Sequence, residues 1–287
     1  MRSSRNSSLL TPHSLPNMKI TFLGGGNMAS ALIGGMLQQG FSANDIQVIE
    51  LQATGRERLQ NEFGVRAAES LDAEALDCDV LLLAVKPQQM HAALAPVAGQ
   101  LVRQLVVSIA AGLRLADLSR WLGGYPTLVR AMPNTPALIG MGVTGLYADD
   151  NVSNAGREAV SRIMHTVGKS VWLDSEAQMD AVTAISGSGP AYVFYLIEAL
   201  QAAGENLGLS ADTARLLAQE TFVGAATLAV RSNEPTAVLR ERVTSKGGTT
   251  AAALRSLTDD GLPSIIETAA RAAAMRGAEM GDELGAG

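Results

Sequence analysis

The chain has 287 residues, enough for one large domain or two ordinary ones, and 47% of it is hydrophobic, enough to bury a sizeable core. A formal net charge of −6 argues against a nucleic-acid protein, which needs a basic face for phosphates. Cys78 is the only cysteine, so no intrachain disulfide can form and a reducing cytoplasm is the expected compartment. No apolar run is long and unbroken enough to span a bilayer, so no membrane partner is expected.

Residues 1–17 are polar, serine-rich and hold two prolines. They have no continuous apolar core of a secretory signal and read as a disordered tail, with Met18 as a candidate initiator. Folded structure is expected from Met18. Lys19 to Leu23 reads as a short buried strand and Asn27 to Gln39 as a helix. Ile46 to Ile49 is a second strand and Arg56 to Phe63 a second helix. Val80 to Val85 is a continuous apolar run, the pattern of a parallel strand buried on both faces. Gln88 to Gly99 reads as a helix, and Leu105–Ile109, Leu128–Arg130 and Val143–Tyr147 as further strands. Strands alternating with helices predict a doubly wound parallel sheet. Strand signals stop by about Asp174. Helices are then expected at 176–184, 190–207, 211–230, 235–242, 249–258 and 263–280. The prediction is an α/β domain over 18–170 and an all-α domain over 171–287.

Loops at four predicted strand ends, and Glu50 at a fifth, carry chemistry. Gly24-Gly-Gly26-Asn27-Met28-Ala29 is a G-x-G-x-x-A pattern between a strand and a helix. Gly24 permits a tight turn, Gly26 lets backbone approach a pyrophosphate, and Ala29 lets the helix pack on the strand. In that context the pattern predicts a dinucleotide site. Glu50 closes the second strand, where an acid can hold the 2′-hydroxyl of NAD. Arg56 and Arg58 follow closely and would suit a 2′-phosphate, or sit solvated on the first turn of a helix. The expected cofactor is NADP, with NAD accepted. Ala84-Val85-Lys86-Pro87 and Ser108-Ile-Ala110-Ala-Gly112 end the next two strands, and ligands of open α/β sheets bind at such carboxyl ends. Arg130-Ala-Met-Pro-Asn134-Thr-Pro136 ends another, with Asn134 offering both a donor and an acceptor. No metal site is expected.

Two more stretches lie in the predicted helical part. Ser186-Gly-Ser-Gly-Pro-Ala-Tyr192 places proline in the first turn of a helix, with Ser188 as a plausible cap. Residues 243–254, VTSKGGTTAAAL, look like a phosphate loop, but Lys246 precedes the glycines where a Walker loop has it after them.

GGGNMA, AVKP, SIAAG, RAMPNTP, GSGPAY and VTSKGGTTAAAL occur in the order and spacing of pyrroline-5-carboxylate reductases. The resemblance covers essentially all of 18–280. It implies a Rossmann-type N-terminal domain followed by an all-α C-terminal dimerisation domain. It further implies reduction of 1-pyrroline-5-carboxylate to L-proline with NAD(P)H, the last step of proline synthesis, in a homodimer that can build a decamer of five dimers. Carried over by motif, Gly24, Gly26, Asn27, Met28 and Ala29 would bind pyrophosphate. Ala84, Val85, Lys86, Pro87, Ser108 and Ala110 would line the nicotinamide side, with Asn134 near the ribose. Gly247, Gly248, Thr249 and Thr250 would bind substrate. Many members have proline where this chain has Lys246, which puts the rigidity and charge of that loop in question.

An iminium accepts hydride far better than an imine, so the substrate must be protonated before or during transfer. None of His13, His91 and His165 lies in a motif loop, and Thr250 is the candidate hydroxyl for the ring nitrogen. β-Hydroxyacid dehydrogenases share the two-domain plan but place a catalytic lysine on the long helix of the second domain; the predicted 190–207 helix has none.

Overall fold

Short apolar runs recur through the first half of the chain. In the computed structural model, which describes residues 18–286, they form one eight-stranded sheet. Its strands are β1 (Ile20–Leu23), β2 (Ile46–Ile49), β3 (Arg66–Ala68), β4 (Val80–Leu83), β5 (Leu105–Ser108), β6 (Leu128–Met132), β7 (Gly142–Ala148) and β8 (Gly168–Trp172). Their order is β3-β2-β1-β4-β5-β6-β7-β8. Strands β1 to β6 run parallel, β7 is antiparallel to β6, and β8 is parallel to β7. The expected tail at 1–17 lies outside the described residues.

Side chains of a strand alternate between faces, so a run with no polar residue must be covered twice. Phe22, Val48, Leu82, Val107 and Val129 enter one buried cluster, with Leu32, Ile33 and Met36 of α1 (Asn27–Gln38), Leu59 of α2 (Ala53–Phe63), and Val160, Ile163 and Met164 of α5 (Asn154–His165). Leu23, Leu81, Leu83, Val106 and Leu128 enter the other, with Met90 and Leu94 of α3 (Pro87–Leu94) and Leu115, Leu118 and Trp121 of α4 (Leu115–Trp121). Each fully buried leucine or isoleucine contributes about 1.5–3 kcal/mol. Cys78 is part of the second cluster, and burial pushes its thiol pKa up, which suits a packing role rather than a nucleophile.

Some boundaries differ from expectation. The helix expected to run to Gly99 ends at Leu94 and tightens into a 3-10 turn at Ala95–Val97, where Pro96 brings no N–H. Helices α4 and α5 and strands β3 and β8 appear where no element was expected.

The described chain divides into two compact units, one up to Met179 together with Met280 onward, the other Asp180–Glu279. In the second, α6 (Gln178–Val182) runs through a π-helical turn (Thr183–Gly187) into α7 (Gly189–Asn206), followed by α8 (Ala211–Arg231), α9 (Thr236–Arg242), α10 (Thr249–Asp259) and α11 (Leu262–Gly285). The break expected between residues 184 and 190 is thus a π turn, closed by Ser188 N–H donating to Thr183 O at 2.8 Å. Helices α7 and α8 approach closely at Gly204, where an added Cβ would lie 3.1 Å from Ala214 Cβ. The last residues of α11 belong to the first unit, where Asp282 pairs with Arg114 at 2.7 Å and Leu284 packs on the second buried cluster. Among the described residues no helix is long and apolar enough to cross a membrane.

Candidate active site

The parallel strands end in register. Leu23 lies opposite Ile49 and Leu83, Leu83 opposite Ser108, and Ser108 opposite Arg130. The loops after β1, β2, β4, β5 and β6 therefore line one edge of the sheet. The strand order reverses between β1 and β4, the switch point at which open α/β sheets bind ligands.

At that point sits the glycine loop. Gly24 has φ +103°, in the left-handed region that glycine tolerates, and its N–H donates to Ile49 O at 2.8 Å. An added Cβ on it would lie 2.8 Å from Ala84 O and 2.9 Å from Val85 Cγ1. Gly26 caps α1 without a side-chain hydrogen bond, and a Cβ built there would meet open space. One glycine is thus pressed against the loop after β4 and another leaves bare backbone at a helix N-terminus, an arrangement that fits a pyrophosphate. Asn27 is exposed, Met28 half-buried and Ala29 buried against the sheet.

Glu50 follows β2, and its carboxylate turns back to this loop. Oε2 accepts from Gly25 N at 3.2 Å and Oε1 from Gln52 N at 2.9 Å. Arg56 donates to the carbonyls of Glu50 at 2.8 Å and Leu51 at 2.7 Å. Arg58 donates to Gly25 O at 2.8 Å and to Ser30 Oγ at 3.1 Å. Both arginines are tied to backbone carbonyls; Arg56 is only 21% exposed, while Arg58 keeps 46% of its side chain in solvent, as the solvated alternative expected.

Ala84 and Val85 are half-buried after β4, and Lys86 is an exposed residue at the N-cap of α3, with Pro87 opening the helix. Ser108 and Ala110 are buried, and Ser108 Oγ accepts from Ala110 N at 3.3 Å. Asn134 is also buried, and its Oδ1 accepts from Val143 N at 2.9 Å, which joins the 133–136 loop to β7. Sequence reasoning missed Glu176. Its Oε1 accepts from Arg130 at 3.2 Å and from Leu115 N at 2.8 Å, tying β6 to the start of α4. With a separation of 46 and 61 residues from its partners, no local pattern announces it.

In the second unit, Gly247 has φ +73° and Gly248 is the N-cap of α10, again with no side-chain hydrogen bond. Gly248 N–H donates to Ser245 O at 3.0 Å. Thr249 and Thr250 are the first two helical residues, so Thr250 does not serve as the cap. Thr249 is exposed and Thr250 half-buried. The first turn presents backbone N–H groups and the positive end of the helix dipole, a fit for a carboxylate.

Two family models match this chain. One, pyrroline-5-carboxylate reductase dimerisation, covers residues 176–280; the other, NADP oxidoreductase coenzyme F420-dependent, covers 19–112. A pyrroline-5-carboxylate reductase of Pseudomonas aeruginosa is 47% identical over 270 residues, spanning 93% of this chain and 98% of that one. The chain belongs to the pyrroline-5-carboxylate reductase family. Solved members agree in fold. One from Coxiella burnetii is 38% identical with a TM-score of 0.87, covering 92% of this chain and 98% of that one. One from Plasmodium falciparum, with NADP bound, is 30% identical with a TM-score of 0.81, covering 93% and 100%. Family membership agrees with the Rossmann-type sheet followed by a helical region expected from the motifs.

Proposed function

We propose that this protein reduces 1-pyrroline-5-carboxylate to L-proline with NADPH or NADH. The observation that carries the reading is end-to-end similarity to pyrroline-5-carboxylate reductases; glycines at the N-termini of α1 and α10 support it. When bound, a reduced nicotinamide would supply the hydride that the imine carbon accepts, and the ring nitrogen would have to gain a proton. The chain's own residues bind and orient. Gly26 and the N–H groups of α1 hold pyrophosphate, with Gly24, Asn27, Met28 and Ala29 shaping the loop. Ala84 to Pro87, Ser108 and Ala110 border the nicotinamide, and Asn134 fixes the loop beside them. Gly247 and Thr249 offer backbone N–H groups to the substrate carboxylate, and Gly248, whose own N–H is held by Ser245 O, lets the backbone come close. Thr250 donates a hydrogen bond toward the ring nitrogen or anchors a water that does. Orientation of this kind lowers barriers by several kcal/mol even without a strong acid.

The dimerisation match over residues 176–280 supports a homodimer; assembly of five dimers into a decamer and a cytoplasmic location belong to the same proposal. Light scattering on the purified protein checks the assembly. The activity is tested by following NAD(P)H oxidation with pyrroline-5-carboxylate; no rate above background overturns it. Thr250→Ala is expected to lower kcat roughly tenfold or more. Unchanged kcat and KM would remove Thr250 from the mechanism.

A further inference from the structure

Glu50, Arg56 and Arg58 stand where the adenosine ribose of a dinucleotide meets the end of the second strand. Which of them faces the 2′ position decides between NADH and NADPH. We infer that Glu50 is the specificity-determining residue and makes NADH the better cofactor, leaving NADPH a poorer one. The inference rests on the reading of the glycine loop as the dinucleotide site of the proposed reductase.

Three observations support it. The Glu50 carboxylate is fixed. Each oxygen accepts a backbone N–H, from Gly25 at 3.2 Å and from Gln52 at 2.9 Å. The side chain is also fenced by bare backbone, since a Cβ on Gly55 would lie 2.8 Å from Glu50 Cγ. Each oxygen keeps lone pairs for a ribose hydroxyl, which can donate to a carboxylate as a charge-assisted hydrogen bond.

The two cations nearby are engaged. One Arg56 nitrogen bridges the carbonyls of Glu50 and Leu51, the other lies 3.4 Å from Glu69, and the side chain is only 21% exposed. Arg58 holds Gly25 O, Ser30 Oγ and Glu62. To meet a 2′-phosphate, either guanidinium would have to abandon backbone bonds that shape the crevice. Finally, a phosphate placed there would face the fixed negative charge of Glu50. Like charges in a half-buried site cost more than in water.

The test compares ADP with 2′,5′-ADP by calorimetry, and NADH with NADPH in the reductase assay. The wild-type protein is expected to bind ADP at least about tenfold more tightly than 2′,5′-ADP, and its kcat/KM to favour NADH by a similar factor. Glu50→Gln keeps the size and one acceptor but loses the charge. It is expected to bring both ratios down by about tenfold or more, chiefly through tighter binding of the 2′-phosphate compounds. Equal or reversed wild-type affinity for the two ADP compounds overturns the inference without reference to any variant, as does an unchanged ratio in a folded Glu50→Gln protein. Absence of turnover with either cofactor, together with selective ADP binding, would overturn the reductase reading and leave the role of Glu50 standing.

Discussion

The sheet-bearing unit and the helical unit treat apolar residues in opposite ways. In the first, four consecutive residues of β4 are all buried, and helices close both faces. In the second, α7 reads GPAYVFYLIEALQAAGEN with only two charged residues, the composition of a helix buried all round, yet none of its residues is buried. Phe194, Tyr195 and Val223 are each at least 60% exposed, and the buried hydrophobic residues of Asp180–Glu279 are the alanines at 184, 214 and 218. Apolar exposure on this scale marks an interface. The first unit carries its own core; the second presents its apolar faces outward, in agreement with the dimerisation family matched there.

The largest expected effect breaks that second arrangement. Phe194→Glu combined with Val223→Glu places charges on α7 and α8. Obligate dimers often lack a stable folded monomer, so the double variant is expected to lose the dimer and to precipitate or unfold at a lower temperature. Light scattering checks it, and a fully dimeric variant with an unchanged melting point would show that these faces do not meet a partner.

A smaller effect sharpens the contrast from the other side. Gly24→Val puts a branched side chain at φ +103° and against Ala84 and Val85. It is expected to cost about 3 kcal/mol of stability and to abolish measurable ADP binding, while the dimer persists at moderate temperature. Loss of the dimer together with ADP binding, in a protein that is still folded, would mean that the two units are not independent in this sense.

The same division explains what was legible in the sequence. Central strands such as β4 and β5 announce themselves because burial on both faces demands an unbroken apolar run. Strand β3 at one edge has the sequence RAA, and β8 at the other has GKSVW with alternating exposure. Edge strands pair on one side and are covered less, so their sequences carry little signal. Helix α5 hides for a related reason: only Val160, Ile163 and Met164 of its twelve residues reach the core. The glycine loop was legible as a local pattern. The state of its arginines was not, because Arg58 reaches Gly25 O across 33 residues and a sequence does not say which partner a guanidinium takes. The role of Gly248 as the α10 cap, with Thr250 two residues inside, likewise depends on where the chain starts to coil.

The smallest effect tests the sheet unit at its surface, at the opposite edge from the binding loops. Lys19, just before β1, bonds Asp77 at 2.6 Å, and Arg103, before β5, pairs with Asp77 at 3.0 Å and Asp79 at 2.9 Å. The hydrogen bond from Lys19, then its charge, holds the Asp77 carboxyl below the usual carboxylate range. A carboxyl whose folded pKa is depressed stabilises the fold above its unfolded pKa, near 3.9, and loses that contribution as pH falls through the lower folded value. The groups are exposed, so water and salt screen the effect and it should be slight. Lys19→Met is therefore expected to melt slightly below wild type near neutral pH in low salt, with the gap closing as pH drops below about 4. A gap that stays constant through that range would assign the loss to packing of the lysine stem on the strand and not to the charge pair.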